Sequence, residues 1–340
     1  MPINTLQYAA LFQTLLDTQV TQGATSGWME ANAGDVIYNG GREIKIPEIS
    51  LQGLGDYDRD NGHPTGSVSF AYRTYTMTQD RGRKFRLDEN DINETNFGTS
   101  SATVMKEFQR TKVIPEVDAY RYSKLANLAG TKNVNTITAA NVLPELYKQL
   151  YALADAGVDL TNIVISMSYP IYALLNTSTD ISKKLDVTSF ERGGITLQVK
   201  SLDGAAIVPI SSDRMKTSYF FNDGTTSGQE AGGFTAASDA AAINWIICPR
   251  SVPIAISKTD RVKIITPEVN QDADAYDLHY HKYHDLIIPY NRRKQIIVST
   301  DKAFTAEIDA AGKGVDTTNA TNAASQTNET ENKTETENNK

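Results

Sequence analysis

Residues 42–79 restrict the fold more than any other part of this sequence. Apolar side chains alternate with polar ones in both halves, at Ile44 and Ile46 and again at Val68, Phe70 and Tyr72. This alternation predicts two β-strands. Between them lies LQGLGDYDRDNGHPTG, with four glycines and three aspartates, so we expect a long hairpin with an acidic tip. An isolated hairpin is marginal in water, and no adjacent segment offers a surface. We therefore expect it to pack on a neighbouring subunit.

The composition excludes several classes of protein. The 340 residues carry 33 Lys and Arg against 41 Asp and Glu, a formal net charge of −8, which argues against a dedicated nucleic-acid reader. The one cysteine, Cys248, excludes an internal disulfide framework and a cysteine-based zinc site. The densest apolar run, residues 240–248, is too short to span a membrane, and the N-terminus lacks the charge pattern of a signal peptide. We expect no membrane association.

The two ends of the chain differ from the rest. Residues 5–20 carry an apolar stripe that predicts a short amphipathic helix, and the glycine-rich stretch after it should leave Trp28 exposed. From residue 311 to 340 there is no Leu, Ile, Met, Phe, Tyr or Trp. Such a stretch cannot bury enough apolar area to offset the entropy of ordering it, so a disordered tail is predicted.

Helical and strand patterns alternate between these ends. One helix is predicted over 100–129, and Pro115 should make it kink or restart. A second, over 139–156, should have Thr138 as its N-cap. Strands are predicted at 162–167, 195–199 and 206–210, with a short helix beginning at Pro170 behind Ser168, and strand character returns over 243–298. The alternation predicts a compact α/β domain.

The order of these parts resembles a known family. The hairpin is followed by RGRKFRLDENDIN, by a long helix containing VIPEVDAYRYSKLA, by the α/β domain and by a final strand pair in YHDLIIPYNRRKQIIV. This order is similar to that of the major capsid protein of a tailed bacteriophage, the Hong Kong 97-type shell fold. The resemblance covers roughly residues 1–304 and implies an α+β fold with six parts. These are an N-terminal arm (1–41), an E-loop hairpin (42–82), a P-domain with a long spine helix (83–134), a central α/β A-domain (135–250), return strands to the P-domain (251–304) and a disordered polar tail (305–340).

The resemblance also implies a function without enzymatic turnover or a cofactor. The chain would self-assemble into hexamers and pentamers of an icosahedral shell, assembled in the host cytoplasm and found in the virion. The shell would enclose double-stranded DNA without sequence-specific binding. Because no long helical segment precedes the arm, a separate scaffolding protein is implied as a partner, together with a portal protein.

Two clusters could compete with this interpretation by binding metal. Asp56, Asp58 and Asp60 have the spacing of a calcium loop, but the glycine comes one place late and Ser67 stands where a bidentate glutamate is needed. A solvated turn is the better interpretation. His279 and His281 share a strand face whereas His284 points to the other. A zinc site would need a further ligand from Asp277 or Asp285. Solvent-facing or satisfied histidines are favoured.

No catalytic constellation is present in the sequence. It has no G-x-S-x-G elbow and no phosphate-binding G-x-x-x-x-G-K-[ST] loop, and Cys248 precedes Pro249 in an apolar run that predicts an inert thiol. A structural shell subunit is therefore the first hypothesis. The alternatives are a bacterial encapsulating compartment with the same fold, and a metal-dependent enzyme or binding protein using the cluster from His279 to His284, with the hairpin as a lid.

Two charged segments suggest a contact between subunits. The hairpin tip carries Asp56, Asp58 and Asp60, and the late turn at 289–294 carries three consecutive cations: Arg292, Arg293 and Lys294. In shells of the resembled family the E-loop crosses the P-domain of a neighbour, to which the late strand pair belongs. We therefore hypothesise that the tip, or the hairpin stem beside it, meets this turn across subunits. The alternative is two independent solvated turns.

Overall fold

The computed structural model describes residues 24–35, 37–38, 42–60, 62–63, 65–88, 101–178, 185–192 and 195–305. Fifteen strands lie in these ranges: β1 (Ile37–Tyr38), β2 (Glu43–Leu51), β3 (Val68–Thr76), β4 (Gln79–Asp88), β5 (Thr131–Val134), β6 (Ile163–Ser168), β7 (Leu185–Arg192), β8 (Ile195–Leu202), β9 (Ala205–Ile210), β10 (Tyr219–Phe221), β11 (Phe234–Ala236), β12 (Ile243–Pro249), β13 (Ile254–Ile265), β14 (Ala275–Ile287) and β15 (Ile297–Thr300). The α-helices there are α1 (Ser101–Phe108), α2 (Ile114–Asn127), α3 (Val142–Asp155) and α4 (Tyr169–Thr177). None of the described helices is long and apolar enough to cross a membrane.

A seven-stranded mixed sheet in the order β5-β15-β12-β6-β9-β8-β7 forms the centre. Alternate residues of β6 and β12 point to opposite sides, and both sides are covered. On one side α3 packs Leu146 and Leu150 against Ile165 and Trp245. On the other, α2 packs against the sheet together with residues 28–29. Burial on both sides explains why β6, with the sequence IVISMS, is mostly apolar instead of alternating with charged residues.

A second sheet, in the order β13-β14-β4, carries the long helix. Met105, Val113 and Val117 of that helix pack on Leu278 and Tyr280 of β14. Between α1 and α2 the helix passes through one π-helical stretch, Gln109–Val113. Pro115 explains it, because its nitrogen has no hydrogen to donate to the carbonyl four residues earlier and its ring crowds that carbonyl. We call residues 101–127 the spine helix.

The predicted hairpin is present, with β2 and β3 paired antiparallel from Glu43↔Thr76 to Leu51↔Val68. The strand at 162–167, the helix over 139–156 and the helix behind Ser168 are also found within a few residues of their predicted bounds. The amphipathic helix over 5–20 and the tail beyond residue 305 lie outside the described residues. The six-part division of the chain stays a prediction.

Three sequence-based predictions are wrong. Trp28 is buried, because it packs with Met29 against Tyr122 of the spine helix. Asn141, not Thr138, precedes the second helix, and the carbonyl of Thr138 accepts the amide hydrogens of Asn141 and Val142.

The third error concerns the final strand pair. β14 pairs with β4 and β13, whereas β15 pairs with β12 and, in parallel, with β5. The two strands thus belong to different sheets. Gly130, which follows the spine helix, lies close to Arg293, which precedes β15. A Cβ at position 130 would lie 2.6 Å from the carbonyl oxygen of Arg293, so a residue with a side chain would push these two segments of the chain apart.

Candidate subunit interface

The two faces of the hairpin bury different amounts of apolar surface. Side chains directly opposite one another on paired strands share a face. Near the base, Ile44 faces Tyr75 on one side of the hairpin, and both are buried. They join a cluster with Met77 from the chain after β3 and Ile256 from β13. This cluster attaches the hairpin base to the body of the same chain.

The opposite face is apolar and exposed along the outer half of the hairpin. Its cross-strand pairs are Pro47↔Tyr72, Ile49↔Phe70 and Leu51↔Val68. The last four of these side chains and Tyr72 are between 51% and 70% exposed, and the rings of Phe70 and Tyr72 meet edge to face at 5.0 Å. A contiguous apolar surface of this kind on a sheet face is characteristic of a protein contact. We call these six residues the outer hairpin face.

The hairpin tip is fully solvent-facing. Leu54 has no covering contact at all, and Tyr57 is more than half exposed. The backbone of Asp58 pairs with Gly62, and the amide of Asp60 donates to a carboxylate oxygen of Asp58 at 2.9 Å. Within the described residues, no group of three His, Cys, Asp or Glu side chains is arranged to hold a metal ion. The tip is thus described as a solvated turn with an acidic surface.

A buried cluster holds the junction between the hairpin and β4. The carboxylate of Asp285 accepts hydrogen bonds from the backbone and side chain of Thr78, at 3.1 and 3.3 Å. It also accepts from the Tyr120 hydroxyl at 2.7 Å and forms an ion pair with Lys124. Both of the latter residues lie on the spine helix, so Asp285 ties the root of the hairpin to that helix.

A second buried carboxylate anchors the segment at residues 24–35. Asp118 of the spine helix accepts from the amides of Thr25 and Ser26, at 3.0 and 3.1 Å, and from both hydroxyls at 2.6 Å. Arg214 pairs with the same carboxylate at 3.0 Å. One turn later, Arg121 pairs with Glu30 at 2.6 Å. These contacts fix where the N-terminal part of the chain leaves the body.

The late cationic segment has a different form from the predicted turn. Residues Tyr290–Gln295 form a 3₁₀ helix between two sheets. Arg292 is exposed and donates to the carbonyl of Ser251 at 2.8 Å, and Lys294 is exposed. Arg293 is only 9% exposed and lies over the ring of Tyr290 at 5.3 Å. Only two of the three cations therefore face solvent.

The hairpin stem and this segment touch within one chain. Arg73 of β3 lies 5.3 Å from the centroid of Tyr290, the same ring that Arg293 contacts. A cation beside an aromatic face is attracted by the ring quadrupole. Whether the acidic tip, with Asp56, Asp58 and Asp60, meets this segment across subunits stays a prediction.

Two of the three late histidines, His281 and His284, lie in separate environments. His281 lies 2.5 Å from a carboxylate oxygen of Asp80. His284 is buried and meets the ring of Tyr120 edge to face. Burial, followed by the charges of Lys282, Arg121, Lys124 and Arg81, holds the pKa of His284 well below its ordinary value. Burial raises the pKa of the Cys248 thiol, as expected for an unreactive cysteine.

Sequence reasoning missed Asp118 and considered Asp285 only as a possible zinc ligand, whereas both carboxylates anchor other segments to the spine helix. Each has an apolar neighbourhood in the sequence, in PEVDAY and HDLII. A carboxylate within an apolar helical or strand pattern is a usable signal, since buried charges are almost always paired. The sequence does not identify the partners of these two carboxylates, because the partners lie 92–207 positions away in the chain.

Comparison with known proteins identifies the fold. No protein-family model matches the sequence, and no curated protein matches it. Solved structures do. The mature capsid of bacteriophage PhiM1 aligns over 78% of this chain and 83% of that chain, at 9% identity and a TM-score of 0.53. The capsid of cyanophage P-SCSP1u aligns over 77% and 84%, at 9% identity and a TM-score of 0.52. A virus-like particle from Pyrococcus furiosus aligns over 86% and 99%, at 13% identity and a TM-score of 0.50.

These matches confirm the predicted fold class. The chain has the fold of phage capsid proteins, the Hong Kong 97-type shell fold. At 9–13% identity the likeness concerns the fold, so the function is argued below from the chain's own surfaces.

Proposed function

We propose that this chain is a structural major capsid subunit, which assembles into hexamers and pentamers of an icosahedral shell around double-stranded DNA. The observation that carries the proposal is the outer hairpin face, in a chain with a capsid fold. The base of the hairpin is attached to its own chain through the opposite face. The outer face is left for a neighbouring copy.

The geometry of the hairpin supports a contact between its outer face and another copy, and not with the body of its own chain. The hairpin root is held by Asp285 and the spine helix, and the two nine-residue strands extend about 30 Å from it at the usual rise per residue. Fully burying one Val, Leu, Ile or Phe side chain contributes about 1.5–3 kcal/mol. The outer hairpin face exposes four side chains of these types and Tyr72. Burying them against a neighbouring copy therefore provides a substantial driving force for association.

The remaining parts of the proposal follow from a shell function. Such a subunit needs no enzymatic turnover and no cofactor, and its partners are its own copies, a separate scaffolding protein and a portal protein. The net charge of −8 suits a shell that encloses DNA without binding it, because carboxylates repel phosphates. The site of action would be the virion, with assembly in the host cytoplasm.

We also propose the contact between the hairpin tip and the late segment of a neighbour, but with two of the three predicted cations. Because Arg293 is buried, the cations available to the acidic tip of a neighbour are Arg292 and Lys294. An exposed ion pair contributes about 0–1 kcal/mol, but it is repeated at every copy. Charge reversal by Arg292→Glu and Lys294→Glu should impair assembly, and Asp56→Lys with Asp60→Lys should partly restore it. If the combined variant is no better than either half, the segments do not touch.

Negative-stain electron microscopy of the purified chain, with and without a candidate scaffolding protein, tests the main proposal. Closed particles with hexameric and pentameric clusters are expected. A chain that stays monomeric or dimeric under all assembly conditions, with scaffold supplied, would refute it. Two observations distinguish a virus shell from an encapsulating compartment. DNA inside the particles, and portal and terminase genes beside the gene for this chain, indicate a virus. Protein cargo inside the particles indicates an encapsulating compartment.

A further inference from the structure

A cavity of about 480 Å³ lies between the spine helix, the strands β4 and β14, and the loop at residues 222–233. Its apolar wall consists of Phe85, Phe108, Val113, Val117 and Tyr280. The ring of Phe108 meets those of Phe85 and Tyr280 edge to face, at 4.9 and 5.8 Å. This volume lies within the range of about 300–1,000 Å³ that is usual for small-molecule sites, so the cavity can hold an organic molecule.

Two arginines of β4 hold the loop that borders the cavity. Arg81 donates to the carbonyls of Asn222 and Gly233, at 3.0 and 3.3 Å. Arg83 donates to the carbonyl of Glu230 at 3.0 Å. These bonds attach the loop to the sheet near both of its ends. The loop side of the cavity is therefore an anchored part of the fold.

The charged side chains at the cavity compensate one another. Arg81 forms an ion pair with Glu116, and Lys282 forms one with Asp260 of β13. The remaining charged residues of the lining are two cations and two carboxylates: Arg83, Lys112, Asp80 and Asp223. The surroundings of the cavity thus carry no net charge. Burying a charged ligand there costs desolvation without a surplus of opposite charge, so the lining favours an uncharged ligand.

One buried side chain at the cavity lacks hydrogen-bond partners. His284 lines the cavity and is 3% exposed, and its Nδ1 is completely buried without a partner. Its Nε2 is not completely buried, and it also has no partner among the described residues. Unpaired buried groups are rare in folded proteins and call for an explanation. Because burial and nearby cations lower the pKa of His284, its ring is neutral, with one nitrogen that donates and one that accepts.

The chemistry of a matching ligand follows from these walls. Aromatic rings pack well against one another edge to face or offset, so a ring system suits the wall formed by Phe85, Phe108 and Tyr280. A hydroxyl group both donates and accepts a hydrogen bond. It can therefore pair with Nε2 of His284 in either tautomer of the neutral imidazole, whereas a carbonyl group can pair with only one of them.

We infer that this cavity binds an uncharged small molecule that combines an aromatic ring system with a hydroxyl group. The ring system packs on the apolar wall, and the hydroxyl group pairs with Nε2 of His284. The bound molecule contacts the spine helix, the sheet and the loop at residues 222–233 at once, so it stabilises their packing. All of these elements belong to one chain, so the site does not depend on the proposed shell function.

Titration of the unassembled full-length chain with three related probes tests the inference. Naphthol has the ring system and the hydroxyl group, naphthalene has the ring system alone, and naphthoate has a carboxylate in place of the hydroxyl group. Ligand-observed NMR should show that naphthol binds about fivefold more tightly than naphthalene, because it gains a hydrogen bond to an otherwise unpaired group. Apolar burial alone gives the opposite order, since naphthalene is the more apolar probe. Naphthoate should bind more weakly than naphthol.

Three variants locate the bound probe. Val117→Phe fills the cavity from the spine helix and should abolish naphthol binding. The matched control, Val269→Phe, makes the same substitution at an exposed position outside the lining and should leave binding unchanged. His284→Phe keeps a ring but removes both nitrogens, so naphthol should lose its advantage over naphthalene. Urea denaturation shows whether each variant is folded.

The probe series on the native chain decides the question even if a variant fails to fold. Naphthol binding that is absent, or no tighter than that of naphthalene or naphthoate, overturns the inference. Naphthol binding that persists in folded Val117→Phe, or a preference for naphthol that persists in folded His284→Phe, also overturns it, because the probe then lies elsewhere. Particle formation is a separate readout, so failure of the shell function and failure of this site are distinguished.

Discussion

At the scale of single residues, buried carboxylates rather than exposed charges determine the local structure. Asp118 has no exposed surface and satisfies four donors of Thr25 and Ser26 as well as Arg214. Removing one member of a buried ion pair typically costs about 3–5 kcal/mol, because the other charge is left without a partner.

We therefore expect Asp118→Ala to lower the free energy of unfolding by about 3–5 kcal/mol, as measured by urea denaturation of the unassembled chain. The exposed Asp155 provides the matched control, since Asp155→Ala should change stability by less than about 0.5 kcal/mol. Limited proteolysis near residue 24 should also become faster in Asp118→Ala. Equal stability of the two variants would contradict the anchoring role of Asp118.

His284 makes stability depend on pH. Its pKa in the folded chain is depressed by burial and by Lys282, Arg121, Lys124 and Arg81, so the unfolded chain takes up a proton near pH 6.5 that the folded chain refuses. This residue therefore costs no stability above about pH 6.5 and an increasing amount as the pH falls below it, with a limiting slope of about 1.4 kcal/mol per unit. Urea denaturation between pH 7.5 and 5.5 should show a shallower loss in His284→Gln than in the native chain. Parallel curves would contradict this.

At the scale of elements, the hairpin has one face for its own chain and one for another. Phe70 lies on the outer hairpin face, and the next residue, Ala71, points to the opposite side and is also exposed. The pair allows the same substitution to be compared on the two faces of one strand.

Phe70→Lys should leave the unassembled chain as stable as the native one, within about 0.5 kcal/mol. It should sharply reduce particle yield. In the proposed interface Phe70 would become buried, so replacing it by lysine removes about 1.5–3 kcal/mol from each contact between subunits and adds an unpaired charge. Ala71→Lys should affect yield much less. Particle counts by electron microscopy and urea denaturation give the two readouts, and equal yields for the two variants would show that the outer face is not an interface.

At the scale of the whole molecule, assembly should depend on the folded part and not on the tail. The segment 311–340 lacks large apolar side chains, so it has little to contribute to a packed interface. Deleting it should leave thermal stability and particle yield nearly unchanged, as measured by calorimetry and sedimentation. A large drop in yield would mean that the tail docks on a neighbour.

The sequence determined the elements whose signal is local. The alternation at 43–46 and 67–73 predicted the hairpin, and Pro115 predicted a kink or restart of the spine helix, where the structure has a π-helical stretch. The order of these elements was enough to indicate the capsid fold, which the structural matches confirm. Each of these signals depends on residues close together in the chain, where period and steric exclusion act directly.

Only the tertiary structure decided which elements meet. It placed β15 beside β12 and β5 instead of β14, buried Trp28 and Arg293, and brought Asp118 to residues 25–26 and Asp285 to Thr78. An apolar strand pattern predicts that a strand is buried, but it does not indicate which element covers the strand. In the same way, a buried charge requires a partner, but the sequence does not specify which residue that partner is. Those choices are made by the packing of the whole chain, because only there do residues about 90–200 positions apart compete for the same contacts.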